Sequence, residues 1–301
     1  MAAALLLLSG APVGAQTTRA EATGYRQTSS YADVVGFLDS LRRLGAPVSL
    51  GTLAVSSEGR SVPYVVASRP LVAGPAEAAG SGKPVVYLQA NIHAGEVEGK
   101  EAAQMLLRDL TLGPLRPLLD SLVLLVVPVY NVDGNEALAP GDTNRPGQNG
   151  PARVGRRANG QGLDLNRDYV KMEAPETRGA ADLLLRWNPQ VFVDLHTTNG
   201  SYHGYALTWS PGLNPNGTAA NDFVRDRMPR REPPNEGAAR PGDISLWQLP
   251  EPAPGLAGPG VGDLRRPPAV RHQLDRAAGQ DGGAQRGLQQ RRLSDPGRIH
   301  V

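Results

Sequence analysis

The chain has 301 residues, of which 40% are hydrophobic and 20% are charged, and its formal net charge is +2. This composition is typical of a globular protein and excludes a wholly disordered or fibrous chain. The 31 basic residues nearly balance the 29 acidic ones, and no long basic run indicates a nucleic-acid-binding protein. Cysteine is absent, which excludes disulfides, thiolate zinc sites and cysteine nucleophiles. Any bound metal must therefore use histidine and carboxylate ligands.

The N-terminal residues predict an export signal. Residues 1–15 form a short apolar stretch that closes on Val13-Gly14-Ala15, the small-x-small pattern of a cleavage site. A frayed apolar terminus is the alternative. No other stretch approaches the ~20 apolar residues that a membrane span needs. We therefore expect a signal peptide at 1–15 and a secreted or periplasmic protein without a membrane span.

The segment after it has the pattern of an α/β domain. Ser30 and Asp33 form a capping box, and Gly45 ends the helix that follows. That helix should bury one face, formed by Val34, Phe37, Leu38, Leu41 and Leu44.

Further apolar runs alternate between strand and helix patterns. The run 122–130 is too short to cross a membrane and predicts a central strand that is buried on both faces. The predicted strands are 49–56 and 62–68, which form a hairpin, then 84–90, 122–130 and 190–195 as a further buried strand; the predicted helices are 100–112 and 176–187. This order implies a largely parallel or mixed sheet that is covered on both sides. In such sheets, sites form at the carboxyl ends of the strands.

Two segments at predicted strand ends supply metal-binding side chains. His93 and Glu96 follow one buried strand on a turn, so an imidazole and a carboxylate can point at one ion. His196 lies at the exit of another apolar strand. Two histidines and one glutamate are the ligand set of a catalytic zinc ion with an open position for water. A lone histidine at a strand end would instead be a hydrogen-bonded structural residue.

A third segment, Gly162–Tyr169, supplies groups that suit a carboxylate ligand and a metal-bound histidine. Asn166 and Arg167 form a fork of donors on a loop. Asp164 is placed to accept the free ring N–H of a zinc-bound histidine. A surface turn with a solvated arginine would be the expectation if this segment stood alone.

In this order, the segments resemble the zinc carboxypeptidase family of the funnelin type. The match consists of His-x-x-Glu at 93–96, Asn-x-Asp-Gly at 131–134, Asp-Leu-Asn-Arg at 164–167 and the strand that ends in His196. It runs over about residues 25–227, so we expect a catalytic domain at 25–228. The resemblance implies a three-layer α/β/α sandwich around a mixed, mostly parallel twisted sheet, incomplete at its C-terminus.

The resemblance also implies the roles of the site residues. The ligands of one zinc ion would be His93, Glu96 and His196. Asn166 and Arg167 would clamp the terminal carboxylate of a peptide substrate. The family places a further arginine upstream of that clamp to polarise the scissile carbonyl, and we expect Arg157 in this role, with Arg156 as its rival. The reaction would be metal-assisted hydrolysis of an amide bond.

One part of the family's machinery is missing from the sequence. Such enzymes use a glutamate as general base, on an apolar strand well after the last zinc histidine. The glutamates after His196 are Glu232, Glu236 and Glu251, all in sequence rich in proline and arginine. Losing a general base typically costs ~10²–10⁴ in rate. We therefore expect little or no activity from the chain as written.

Residues 229–301 depart from the domain pattern. Proline, glycine and arginine supply 33 of these 73 residues, and leucine, isoleucine, valine and phenylalanine supply only 12. Such a segment cannot bury enough apolar surface to offset the entropy of ordering it. It is either a disordered tail or the product of a shifted reading frame in a GC-rich gene. Without the last strands, the sheet would expose an apolar edge.

Two other functions remain open. The succinylglutamate desuccinylase and aspartoacylase group shares the zinc ligands and the Asp-Leu-Asn-Arg segment, so an N-acyl amino acid is an alternative substrate. The Asn-x-Asp-Gly element and the export signal count against this group. A non-catalytic protein that binds zinc or a carboxylate is the other alternative, and the absent glutamate is its support.

Overall fold

The computed structural model describes residues 16–146, 148 and 150–197. The predicted signal peptide at 1–15, the end of the predicted catalytic domain after 197 and the tail at 229–301 lie outside these residues. The helices are α1 (Arg19–Ala22), α2 (Tyr31–Arg43), α3 (Pro75–Gly80), α4 (Glu98–Thr111), α5 (Val132–Glu136), α6 (Gly141–Asn144), α7 (Leu165–Asp168) and α8 (Pro175–Trp187). The strands are β1 (Val48–Val55), β2 (Ser61–Ala67), β3 (Val85–Ala90), β4 (Val123–Val127), β5 (Ala139–Pro140), β6 (Arg153–Val154) and β7 (Val191–Leu195).

Five strands form one mixed sheet in the order β1-β2-β4-β3-β7. β1 and β2 are the predicted antiparallel hairpin, and β2 also pairs antiparallel with β4. β3 lies between β4 and β7 and is parallel to both. Four of the five strands therefore point the same way, as expected for a mixed, mostly parallel sheet. The short strands β5 and β6 form a separate antiparallel pair.

Helices cover both faces of this sheet. Gly99 on α4 packs close to Ala90, the last residue of β3. The hydroxyl of Tyr169, just after α7, donates to Gln89 Oε1 across 2.9 Å. Because successive residues of a strand point to opposite faces, α4 and α7 lie on opposite sides. The three-layer α/β/α arrangement is therefore confirmed. No helix in the described part of the chain is long and apolar enough to cross a membrane.

The first long helix begins where the sequence predicts, but its apolar face is one residue shorter. Ser30 and Asp33 form the predicted capping box of α2. The first four residues of the predicted face, Val34 to Leu41, are buried. Leu44 is 49% exposed, so this part of the prediction is wrong. Leu44 caps the helix after its last turn and no longer follows the helical spacing.

Burial differs sharply between the central strand and the last one. All five residues of β4 are buried, because strands lie on both sides of it and helices cover the sheet. The prediction that 190–195 is a further buried strand is wrong, since Val191 and Phe192 are 41% and 46% exposed and the other three residues of β7 are only half-buried. Within the described residues β7 is the edge of the sheet, so one side of it has no neighbouring strand.

Candidate metal centre

The sheet brings two histidines to the same edge. β3 ends at Ala90, and β7 ends at Leu195, which is its partner in the parallel register. His93 follows β3 by three residues, and His196 follows β7 directly. Carboxyl ends of neighbouring parallel strands open into one crevice. The two imidazole rings lie 5.0 Å apart between their centroids.

Glu96 lies between the two histidines. A turn closed by the Glu96 amide and the His93 carbonyl oxygen, 2.9 Å apart, returns the carboxylate towards the ring. Glu96 Oε1 is 2.8 Å from His93 Nδ1, and Oε2 is 2.9 Å from His196 Nδ1. One ligand atom from each of the three residues lies within 4.8 Å of the other two. Two imidazole nitrogens and a carboxylate oxygen at this spacing match the donor set that zinc prefers.

The turn that carries Glu96 depends on the glycine before it. A Cβ atom at Gly95 would lie 3.1 Å from the carbonyl oxygens of both Asn144 and Gly155. These distances are tighter than ordinary van der Waals contact, so the turn packs against both backbone segments. The His-x-x-Glu pattern therefore has a glycine here because the neighbouring loops approach so closely.

Charge pairing within the cluster is strong. Burial alone would raise the pKa of Glu96, but the hydrogen bonds of its carboxylate to His196, His93 and the Thr197 amide hold the pKa well below its usual value. Burial likewise opposes the positive charge on His196, yet its bonds to Asp194 and Glu96 raise the pKa of the imidazole to about 10. Without a metal, the cationic imidazole of His196 therefore bridges two carboxylates. A divalent cation would replace that proton as the positive charge.

Asp164 and Arg157 approach the cluster from the other side. Asp164 caps α7 and lies 3.1 Å from His93 Nε2, the ring nitrogen that faces away from Glu96. Arg157 donates from Nε to the other oxygen of Asp164 across 3.0 Å, and its Nη1 is 3.9 Å from Glu96 Oε1. Burial would raise the pKa of Asp164, but the charges of Arg157 and His93 lower it. The guanidinium of Arg157 is half-exposed, so part of it remains open to a ligand.

The guanidinium of Arg156, the alternative to Arg157, contacts backbone carbonyl oxygens and not the cluster. Arg156 donates from its guanidinium to the carbonyl oxygens of Ala158 and Asn159. Arg157 is therefore the member of the pair whose guanidinium reaches the cluster.

Asn166 and Arg167 lie on α7, next to Asp164. The amide of Asn166 donates to Asp164 Oδ1 across 3.0 Å. The Arg167 side chain is exposed, and among the described residues its guanidinium donates only to the Asn166 carbonyl oxygen, at 3.3 Å. The pair thus lies on the segment that also contacts the cluster through Asp164, with free donors on the arginine.

Sequence reasoning assigned no role to Asp194, which contacts the cluster directly. Asp194 Oδ2 is 2.8 Å from His196 Nε2. The signal was present in the spacing, because residues two apart on a strand point to the same face. Thr197 was also missed: its amide donates to Glu96 Oε2 across 3.0 Å. A backbone donor of this kind leaves no trace in residue type.

The fold and this cluster define the class: an α/β protein with two histidines and a glutamate placed so that they could hold a metal ion. A family model described as zinc carboxypeptidase matches residues 35–220, more than half of the chain. The chain belongs to the zinc carboxypeptidase family. This confirms the resemblance that the motifs indicated.

Individual relatives agree with this assignment over part of their length. Carboxypeptidase 2 of Trichophyton tonsurans is 30% identical over 145 residues, which is 47% of this chain and 23% of the relative. Carboxypeptidase 2 of Trichophyton rubrum gives the same figures for identity and coverage. The chain thus spans about a quarter of the length of the curated relatives that it matches.

Solved structures of carboxypeptidases are also similar. A metallo-carboxypeptidase from Burkholderia cenocepacia is 21% identical, with a TM-score of 0.46 and coverage of 59% of this chain and 43% of that one. Carboxypeptidase A from Helicoverpa armigera is 20% identical, with a TM-score of 0.45 and coverage of 58% and 47%.

Proposed function

We propose that the chain binds one zinc ion through His93, Glu96 and His196, and that the protein is a metallocarboxypeptidase that hydrolyses the C-terminal amide bond of peptides. The observation that carries this proposal is the cluster itself: three ligand atoms of the right types within 4.8 Å of one another, at the ends of adjacent parallel strands. Zinc bound by three protein ligands supplies a Lewis acid for a carbonyl and lowers the pKa of its water towards ~7.

The surrounding side chains can supply the other groups that the reaction needs. The half-exposed guanidinium of Arg157 lies beside Glu96 and can donate to the oxygen of a scissile carbonyl as negative charge develops on it. Asn166 and the exposed Arg167 can bind the terminal carboxylate of a peptide, since a guanidinium fork matches a carboxylate in geometry and charge. Asp164 holds the ring of His93 through Nε2 and so leaves Nδ1 for the metal.

A general base is the part that the described residues do not supply. The carboxylates that contact the two histidines from outside the cluster are Asp164 and Asp194, and each is hydrogen-bonded to a ring nitrogen. Both lie at the Nε2 atoms, on the side of each ring that faces away from Glu96. The glutamates at 232, 236 and 251 lie outside the described residues. We therefore expect zinc binding but little or no peptide turnover from this chain.

Zinc binding without a general base favours a second candidate function for this chain. In this function the chain binds zinc and carboxylates without catalysis. The matching family model and the relatives named above are carboxypeptidases, so they favour peptides over N-acyl amino acids as ligands. Export rests on the apolar stretch at 1–15 alone, and N-terminal sequencing of the mature protein tests it.

Zinc stoichiometry tests the ligand assignment. After dialysis against buffer with a weak chelator, the parent protein should retain one zinc per chain by elemental analysis. His93→Ala and His196→Ala should retain far less, because each removes one of three ligands. Arg156→Ala, whose side chain contacts only backbone carbonyls among the described residues, should match the parent. Stoichiometric zinc in both histidine variants would show that the ligand assignment is wrong.

Turnover tests the catalytic part separately. Blocked dipeptides with a free carboxylate and N-acyl amino acids should be compared as substrates for the zinc-loaded chain. Rapid hydrolysis of the dipeptides would contradict the expectation of little or no turnover and would establish that the chain is an active carboxypeptidase. Zinc and ligand binding without turnover would favour the non-catalytic function.

A further inference from the structure

Each histidine of the cluster has a carboxylate behind it. The Nδ1 atoms of His93 and His196 both face Glu96, at 2.8 and 2.9 Å. The Nε2 atom of His93 contacts Asp164 at 3.1 Å, and the Nε2 atom of His196 contacts Asp194 at 2.8 Å. A carboxylate on one ring nitrogen fixes the tautomer, so the other nitrogen keeps its lone pair for a metal.

The two carboxylates are built into the fold differently. Asp164 is on a loop at the start of α7 and also binds Arg157. Asp194 belongs to β7, and His196 follows the last residue of that strand directly, so only one residue separates the strand-anchored carboxylate from the histidine. A side chain anchored in a strand is held more rigidly than one on a loop.

Asp194 has a polar neighbour on the adjacent strand. Asp194 pairs in the parallel register with Gln89 on β3, so both side chains lie on the same face of the sheet. Gln89 is fully buried, and its Oε1 accepts from the hydroxyls of Tyr87 and Tyr169 at 3.0 and 2.9 Å. Asp194 Oδ1 and Gln89 Nε2 are both buried, and neither has a hydrogen-bond partner among the described residues.

Gln89, the neighbour of Asp194 on β3, is held in place by the two tyrosine hydroxyls. The polar residue next to Asp194 on this face of the sheet is therefore itself fixed.

We propose that Asp194 is the positioning residue of His196: it holds the imidazole through Nε2 and orients Nδ1 towards the metal. This inference rests on the proposed zinc site. It adds to that site a residue that acts through His196 and does not itself touch the metal or substrate.

The test compares three variants of the full chain. Asp194→Ala removes the carboxylate. Asp194→Asn keeps the shape and one acceptor oxygen but removes the charge. Asp182→Ala is the matched control, because Asp182 is an exposed carboxylate on α8 that pairs with Arg186. The measurements are the zinc dissociation constant, by competition with a chromophoric chelator, the visible absorption of the cobalt-substituted protein, and the thermal midpoint of the metal-free protein.

The expected result is graded. Loss of a carboxylate behind a metal-bound histidine typically weakens metal binding by ~10–100-fold, so Asp194→Ala should fall in that range and Asp194→Asn at its lower end. The cobalt absorption of both variants should differ from that of the parent, because the histidine has turned. Asp182→Ala should match the parent in both measurements. A purely structural role would lower the thermal midpoint and leave the cobalt bands in place.

Zinc affinity and cobalt spectra of both Asp194 variants that equal those of Asp182→Ala would overturn the proposal. If metal-free Asp194→Ala has no cooperative unfolding transition, Asp194→Asn decides alone by the same two readouts. Failure of the zinc site itself looks different. In that case the parent binds no zinc, or His196→Ala binds it as tightly as the parent, and the role of Asp194 falls with the site.

Discussion

The side-chain amide of Asn131 donates to the carbonyl oxygen of Arg157 across 3.0 Å. Asn131 is fully buried, and its Oδ1 accepts the amide of Gly134 at 2.8 Å. The carbonyl oxygen of Gly134 in turn accepts the amide of Arg156 at 2.8 Å. The Asn-x-Asp-Gly element therefore holds the loop by hydrogen bonds to its backbone, and this loop carries Arg157, the arginine beside the metal-ligand cluster.

Removing the hydrogen bonds of the Asn131 side chain should destabilise the protein. Asn131→Ala removes these two bonds and a third, from the side-chain amide to the Ile92 carbonyl oxygen at 3.4 Å, and leaving buried backbone groups unpaired costs about 1–3 kcal/mol. Asn131→Asp keeps an acceptor for Gly134 but turns an acceptor towards the Arg157 carbonyl, so it should cost at least as much. Urea unfolding measures both. Gln27→Glu makes the same change at an exposed residue that binds Arg19 and should cost nothing; equal stability of all three variants would contradict the role of Asn131.

Most of the fold could be predicted because its elements carry strong local signals. The capping box at Ser30, the hairpin, and the all-apolar run of β4 each follow from residue type and spacing. The errors occur at the ends of elements. Leu44 has the right spacing but lies past the last turn, and Val191 is apolar but starts an edge strand. Burial depends on which strand lies next, and residue type alone does not report that.

The candidate site could likewise be predicted only in part from the sequence. The sequence points to His93, Glu96 and His196 because their residue types and strand-end positions are distinctive, and the structure brings them together. It could not choose firmly between Arg156 and Arg157, because adjacent residues on a loop have no fixed direction. Asp194 was accessible from the two-residue period of a strand, whereas the Thr197 amide that binds Glu96 has no sequence signature.

Arg157 should matter for binding a tetrahedral anion and not for holding zinc. Its guanidinium is half-exposed beside Glu96, whereas Arg156 donates to backbone carbonyls. Arg157→Ala should weaken binding of a phosphonate analogue of a dipeptide by ~10–100-fold, since a hydrogen bond to a charged group contributes about 1.5–3 kcal/mol. Zinc content should stay at the parental level. Isothermal titration measures the affinity, and a larger loss in Arg156→Ala than in Arg157→Ala would reverse the assignment.

Arg167 should decide the preference for a free carboxylate. The parent should bind a dipeptide more tightly than its C-terminal amide, because the exposed guanidinium offers two parallel N–H donors to a carboxylate. In Arg167→Ala that preference should shrink by ~10-fold or more, with zinc unchanged. The comparison of acid and amide within each protein is its own control. A preference of equal size in both proteins would exclude Arg167 from the clamp.

Asp168 should make the domain sensitive to acid. Its buried carboxylate accepts the amides of Glu173 and Ala174, each at 2.9 Å. Burial would raise the pKa of Asp168, but these bonds lower it. Because the pKa is lower in the folded state, the stabilisation is complete above the unfolded value of about 4 and is lost as the pH falls through the folded value.

The variant Asp168→Asn tests this sign. At pH 7 it should be less stable than the parent by about 1–3 kcal/mol, and the two free energies of unfolding should converge below about pH 4. Urea unfolding at several pH values measures the difference. A difference that does not change with pH would show that Asp168 contributes no proton-linked stability.

Two helical glycines should respond oppositely to alanine. At Gly179 on α8, an added Cβ would collide with the carbonyl oxygen of Leu53 and lie 2.9 Å from Ala54 Cβ, so the helix would have to move away from β1. Such overpacking typically costs ~1–3 kcal/mol. At Gly36 on α2, an added Cβ meets nothing within 4 Å, and alanine should stabilise the helix by about 0.5–1 kcal/mol. Thermal or urea unfolding of Gly179→Ala and Gly36→Ala measures both. Since both changes add one methyl group within a helix, equal effects would mean that the contact between α8 and β1 is not as close as the structure has it.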